Sequence, residues 1–285
     1  MAANQEQGNS LRGSFLAASL VLAMVSACAS ARAGEASRGS EFRLLEFDGR
    51  KARWTLPAKG LPATVSYSFL TQPAQFPGAR NCDAMLPPEA ALGPSHISAA
   101  DFRREVRAAF STWENAANIK FVETSSIAEA GILIGADAKA RGRAFTNVAL
   151  KDAAPGAPTA AVGAIRQSLI CLNPRRPWKV GFDGNLDIYD VRFTVTHEIG
   201  HAIGLDHPSP EGQLMSFRYV ESAHGLQPGD IAGAVALYGT RNAAPMPDGG
   251  VAAAMAASAN RRVLASPAAG IPAFGLGEPR PGKAR

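Results

Sequence analysis

The stretch His197-Glu198-Ile199-Gly200-His201-Ala202-Ile203-Gly204-Leu205-Asp206-His207 holds the residue types and spacing that can do chemistry in this chain. On a helix, His197 and His201 stand four apart, so both imidazoles project from one face and can share a single ion. Neutral imidazole nitrogens suit Zn2+ at about 2.0–2.1 Å. The next helical turn on that face offers no third ligand. Gly204, however, lets the backbone leave the helix through a left-handed conformation, and His207 can then swing back to the metal. Three histidines leave a fourth position for water, the arrangement of a catalytic rather than a structural zinc. Glu198 follows the first ligand directly and is placed to take a proton from that water, then to pass it to a leaving amine. The competing reading is two surface histidines on an amphipathic helix. Against it, the five fixed positions recur by chance on the order of once in a hundred thousand, and three of the chain's five histidines lie in the stretch.

The elements that must position these groups are legible around them. A helix is predicted from about Asp190 to Gly204, carrying the first two histidines. A second helix follows from the stripe Phe102, Val106, Phe110 and Trp113, which is read as core, with Ser98 and Asp101 as its N-terminal cap and acidic first turn. A third is predicted from Pro228 and Asp230 through Ile231, Val235 and Tyr238, ended by Gly239. Val65, Tyr67 and Phe69 alternate with serines as a half-buried strand. Short strands are expected at Ile119–Val122, Ile132–Ile134, Ala161–Ile165 and Leu169–Leu172. Gly34 to Lys51 reads as a polar tether, with structure beginning near Trp54, and residues 241–285 read as a disordered Ala/Pro/Gly/Arg-rich tail.

These residues resemble the metzincin clan of zinc proteases and, within it, the matrixin branch. Gly200 and Leu205 fit the matrixin form HExGHxxGLxH. Met215 stands where a Met-turn lies beneath the zinc, and Tyr219 follows four residues later. Leu226 to Gly239 is similar to the closing matrixin helix, and the likeness spans residues 53–240. Pro208 after the third histidine departs from astacins and adamalysins, which have Glu or Asp there, and the calcium repeats of serralysins are absent. The resemblance implies an α/β (α+β) zincin-like catalytic domain: a twisted mixed five-stranded sheet, a backing helix, the active-site helix and a C-terminal helix. It implies a monomeric zinc metalloendopeptidase hydrolysing internal peptide bonds of an extended protein or peptide substrate. The histidines of a second, structural zinc are missing, with Gly181-Phe182-Asp183 where one would stand, so no structural zinc is expected. Asp183, Asn185, Asp187 and Asp190 offer oxygen ligands for calcium, or alternatively form an acidic turn and a helix cap. No cysteine switch is recognisable. Phe217 replaces the usual proline after the Met-turn and should alter the wall of the pocket for the residue after the cleaved bond.

The net charge of +5 invites a nucleic-acid reading. Most of the excess falls in the tail without interleaved aromatics, so nucleic acid is not expected as a partner. Arg12 followed by the apolar run Phe15 to Val25 reads as an export signal within residues 1–33, too short to span a bilayer. Val25-Ser26-Ala27-Cys28 resembles a bacterial lipobox that would lipidate Cys28. Ala31-Arg32-Ala33 offers a rival cleavage site, and an uncleaved signal anchor is a third reading. The protein is expected outside the cytoplasm, touching membrane only through such a signal or anchor. Cys82 and Cys171 then meet an oxidising compartment and can pair, or stand as two separate buried thiols. Two rival functions remain beside the peptidase: a non-catalytic surface protein braced by zinc, and a zinc hydrolase of a non-peptide substrate.

Overall fold

The computed structural model describes residues 41–57, 60–152, 161–208, 211–222 and 224–241. The export signal with Cys28, the tether from Gly34 to Ser40 and the tail beyond Arg241 lie outside them. In chain order come β1 (Arg43–Leu44), β2 (Glu46–Phe47), β3 (Arg50–Arg53), β4 (Ala63–Phe69), β5 (Ala74–Gln75), β6 (Ala84–Leu86) and α1 (Glu89–Leu92). After α1 follow α2 (Ala99–Ala116), β7 (Ile119–Glu123), β8 (Ile132–Asp137), β9 (Ala144–Leu150) and β10 (Val162–Leu172). The chain continues through β11 (Trp178–Lys179), β12 (Tyr189–Asp190), α3 (Val191–Ala202), β13 (Leu205–Asp206) and α4 (Pro228–Tyr238).

The heart of the sheet has five strands, the number expected, in the order β9-β10-β8-β4-β7, with β9 antiparallel to β10 and the other neighbours parallel. β2, β3, β5 and β6 extend it. Two expected strands are one: β10 runs unbroken through the Arg166 region, where a bulge between Ile165 and Gln167 disturbs its pairing with β9. β9 is absent from the strands expected above. Its inward positions are Ala144, Thr146 and Val148, too small and polar to read as a core strand.

α2 backs the sheet. Ser98 caps it by accepting from the Asp101 amide at 3.1 Å, as its sequence predicts. Phe110 stacks on Tyr67 of β4 with ring centroids 4.1 Å apart, and Phe102 meets Phe69 edge-on. On its other side Trp113, fully buried, donates its indole N–H to the Thr196 carbonyl of α3 at 2.8 Å. That residue ties backing helix to active-site helix, and truncating such a side chain to alanine typically costs about 3–5 kcal/mol.

The tether reading fails from Arg43 onward. β1 pairs antiparallel with β13, and β3 joins β10 in the sheet. Leu44 and Leu45 are buried, and the Leu45 amide donates to the Gly204 carbonyl at 2.8 Å. These strands are only two to four residues long, so no periodicity announces them; the energy lies in their partners. Cys82 and Cys171 form a disulfide with Cα atoms 5.8 Å apart, joining the loop before β6 to β10. No helix among the described residues is long and apolar enough to cross a membrane.

Candidate active site

α3 begins at Asp190, whose carboxylate accepts from the Phe193 amide at 2.7 Å and from the Gly181 amide at 2.7 Å. Arg192 apart, every residue of the helix is buried. Gly200 is demanded by packing, because a Cβ there would collide with Met215 Sδ and crowd Trp113. The helix ends as the sequence predicts, at Gly204 with φ +105°, where a side chain would also strike the Ala52 carbonyl. Past that turn β13 carries the chain back, and His207 joins the two helical histidines.

The three Nε2 atoms converge. His197 and His207 are 3.1 Å apart, His197 and His201 3.2 Å, and His201 and His207 3.3 Å. Tetrahedral coordination at about 2.0–2.1 Å places ligand nitrogens about 3.3–3.4 Å apart, so the triad matches zinc in size. Proton bookkeeping points the same way. His197 Nδ1 lies 2.8 Å from the Leu214 carbonyl and His201 Nδ1 lies 2.8 Å from the Leu205 carbonyl. A carbonyl only accepts, so both Nδ1 atoms carry hydrogens and both Nε2 atoms present lone pairs to one another. Lone pairs facing at that distance repel unless a cation sits among them. Burial lowers His197 to about 4 against the pull of the Leu214 bond. His207 falls to about 3 through burial and the neighbouring His197, and His201 is held well below its ordinary value by burial and by both partners. All three are therefore neutral, the form that ligates a metal.

Supports outside the triad fix these orientations. Asp230, at the start of α4, is buried and accepts from the amides of Leu214 at 2.8 Å, Met215 at 3.0 Å and Gln227 at 2.7 Å. One carboxylate thus pins both the carbonyl that orients His197 and the Met215 side chain beneath Gly200. Asp206 accepts from the His207 amide at 2.8 Å and pairs with Arg43 of β1 at 2.8 Å. The segment read as tether is part of the mounting of His207.

Glu198 is fully buried. Thr146 of β9 donates its hydroxyl to Glu198 Oε2 at 2.7 Å, while Oε1 has no hydrogen-bond partner among the described residues. Burial pushes this carboxyl up to about 8, the Thr146 bond pulling the other way. A cation in the triad would draw it back down. Thr146 escaped the sequence reading with its strand; the signal was the period-two run Ala144, Thr146, Val148. Beyond the histidine triad, Phe217 is 52% exposed with its ring centroid 5.3 Å from that of His207, an apolar side chain on the rim of the site.

The four expected oxygen ligands do not come together. Asp183 pairs with Lys179 and accepts from the Asn185 amide, and Asn185 accepts from the Asp187 amide. Asp190 is occupied capping α3. Lys179, which also pairs with Glu221, supplies the positive charge in that loop. The histidine triad is the cluster of His, Cys, Asp or Glu groups among the described residues that could hold a metal.

Comparison with known proteins agrees with this geometry. The matrixin family model matches residues 91–239. A metalloendoproteinase of Arabidopsis thaliana, 4-MMP, is 28% identical over 156 residues, covering 51% of this chain and 42% of its own. A second from that plant, 1-MMP, is 30% identical over 151 residues, covering 50% and 40%. A probable matrix metalloproteinase of invertebrate iridescent virus 3, 095L, is 35% identical over 78 residues, covering 26% and 20%. The chain spans less than half the length of these relatives. With the family match covering α1 to the end of α4, and with the triad, Gly200, Gly204 and Met215 in their places, the chain belongs to the matrixin family.

Proposed function

We propose that the protein is a zinc-dependent metalloendopeptidase that hydrolyses internal peptide bonds, with His197, His201 and His207 holding the metal and Glu198 acting as general base. A zinc ion in such a site supplies Lewis acidity, which acidifies water and polarises a carbonyl. Glu198 accepts the proton of the attacking water on Oε1 and later delivers it to the leaving amine. Thr146 holds Oε2 so that the free oxygen keeps its aim. The observation that carries the reading is this pairing: three convergent unprotonated imidazole nitrogens beside a buried carboxylate with one unpartnered oxygen.

The substrate's path follows from the sheet. β9 pairs with β10 on one side and has no strand on its other edge among the described residues. Its side chain Thr146 reaches the base from that strand, so an extended peptide adding to the free edge brings a carbonyl to the centre. Phe217 borders the site beside His207. We place the protein outside the cytoplasm, a reading supported by the apolar run after Arg12 and by the Cys82–Cys171 disulfide. Removing metal with a chelator should abolish cleavage of an unfolded protein substrate, and zinc should restore it. Cleavage that persists through complete metal removal would sink the proposal.

A further inference from the structure

Four buried side-chain atoms among the described residues lack a hydrogen-bond partner: Glu198 Oε1, Thr194 Oγ1, and Nε and Nη1 of Arg143. Glu198 and Thr194 belong to α3, Arg143 immediately precedes β9, and these two elements pack on each other along a seam. Two contacts set their register. Thr146 meets Glu198, and Val148 pairs with Ser168, whose hydroxyl donates to the Ala202 carbonyl at 3.1 Å. β9 and α3 therefore run in the same direction. Arg143, just before β9, holds its guanidinium 3.7 Å above the ring of Tyr189, two residues before the start of α3. Thr194 precedes Glu198 by one turn and shares its face. From the metal triad outward the seam reads Glu198, Thr194, Arg143.

The general-base role accounts for Glu198 Oε1. Nothing in the fold accounts for the other three atoms. Arg143 is 4% exposed, and burial holds its guanidinium below the ordinary value, with Arg176 adding repulsion. Its neighbour Tyr189 packs edge-on against Tyr219, with ring centroids 5.1 Å apart. No carboxylate among the described residues forms an ion pair with it. A buried charge with no carboxylate beside it carries a heavy desolvation cost, and a carboxylate is the partner that relieves it.

We infer that the seam is a specificity pocket for an acidic substrate side chain beside the cleaved bond, whose carboxylate accepts from Arg143 and from the Thr194 hydroxyl. The inference rests on the peptidase reading above. Glu198 and Thr194 are one turn apart, about 5.4 Å along the axis, a span that an extended glutamate covers better than aspartate.

The test is a peptide library varied on both sides of the scissile bond, read as kcat/KM for the wild type, Arg143→Gln, Arg143→Glu and Thr194→Val. The wild type should favour glutamate over glutamine or leucine by about tenfold or more at one position adjoining the bond. Arg143→Gln should bring the glutamate-to-glutamine ratio to about one, Arg143→Glu should turn the preference toward lysine or arginine, and Thr194→Val should weaken it. A wild-type preference for apolar residues at both adjoining positions overturns the inference without any variant having to fold, and leaves the peptidase reading standing. A glutamate preference unchanged in Arg143→Gln also overturns it. Failure of the zinc-loaded wild type to cleave any member overturns both.

Discussion

Thr146→Val tests whether the Thr146 hydroxyl aims the Glu198 carboxylate. The substitution keeps the shape of a fully buried side chain and removes the hydroxyl that lies 2.7 Å from Glu198 Oε2 and 3.0 Å from the Glu198 carbonyl. Hydrogen bonds to charged groups contribute about 1.5–3 kcal/mol. If the bond is needed in the transition state, its loss lowers kcat/KM by that amount, about ten- to a hundredfold. Thr146→Ser keeps the hydroxyl and should recover most of the activity. The assay is steady-state cleavage of a quenched fluorescent peptide, with zinc content and thermal unfolding measured on the same samples. Wild-type kcat/KM in a folded, zinc-loaded Thr146→Val protein would refute the reasoning, because Glu198 would then need no aim from β9.

Other expectations test the scaffold. Asp230→Asn disturbs three buried amide bonds and should cost about 2–4 kcal/mol of stability in chemical unfolding. Through Leu214 and His197 it should also weaken zinc binding about ten- to a hundredfold in a chelator competition, and unchanged affinity would contradict the proposed link. Replacing both Cys82 and Cys171 by Ala frees a loop closed across 89 residues and should cost up to about 4–5 kcal/mol, seen as a lower Tm. Burial tends to raise the Glu123 carboxyl, but bonds from Arg107 and Tyr67 and the charge of Arg103 hold it below its ordinary 4.5. Its contribution is therefore complete above that value and lost as pH falls through the folded-state pKa. Glu123→Gln should lose about 0.5–1 kcal/mol at neutral pH, a deficit that shrinks below about pH 4.5 in urea titrations; a deficit constant with pH contradicts it.

What the sequence discloses and what it hides divide along physical lines. The triad, Glu198, the cap at Ser98 and the exit at Gly204 are local features, fixed by spacing and by the backbone freedom of glycine. The stripe from Phe102 to Trp113 is legible because that helix buries one face against a sheet. β9 is hidden because its inward residues, Ala144, Thr146 and Val148, are small, and the polar one, Thr146, faces Glu198. β1 and β3 are hidden because strands so short derive their order from β13 and β10, far along the chain. Asp230 looks like an ordinary acidic residue in a first helical turn until Leu214 and Met215 are folded against it. Arg143 looks like a surface charge until β9 carries it beneath Tyr189. The oxygen-rich run from Asp183 to Asp190 takes the alternative reading of an acidic turn and helix cap, with Lys179 and α3 engaging its end members.

The central claim is that Glu198 moves the proton for a metal held by three histidines. The most direct measurement is the rate of peptide-bond cleavage by Glu198→Gln, with bound zinc quantified in the same sample. The account predicts one zinc per chain, as in the wild type, and a rate lower by about a hundredfold or more. Cleavage at the wild-type rate by the zinc-loaded variant would contradict it.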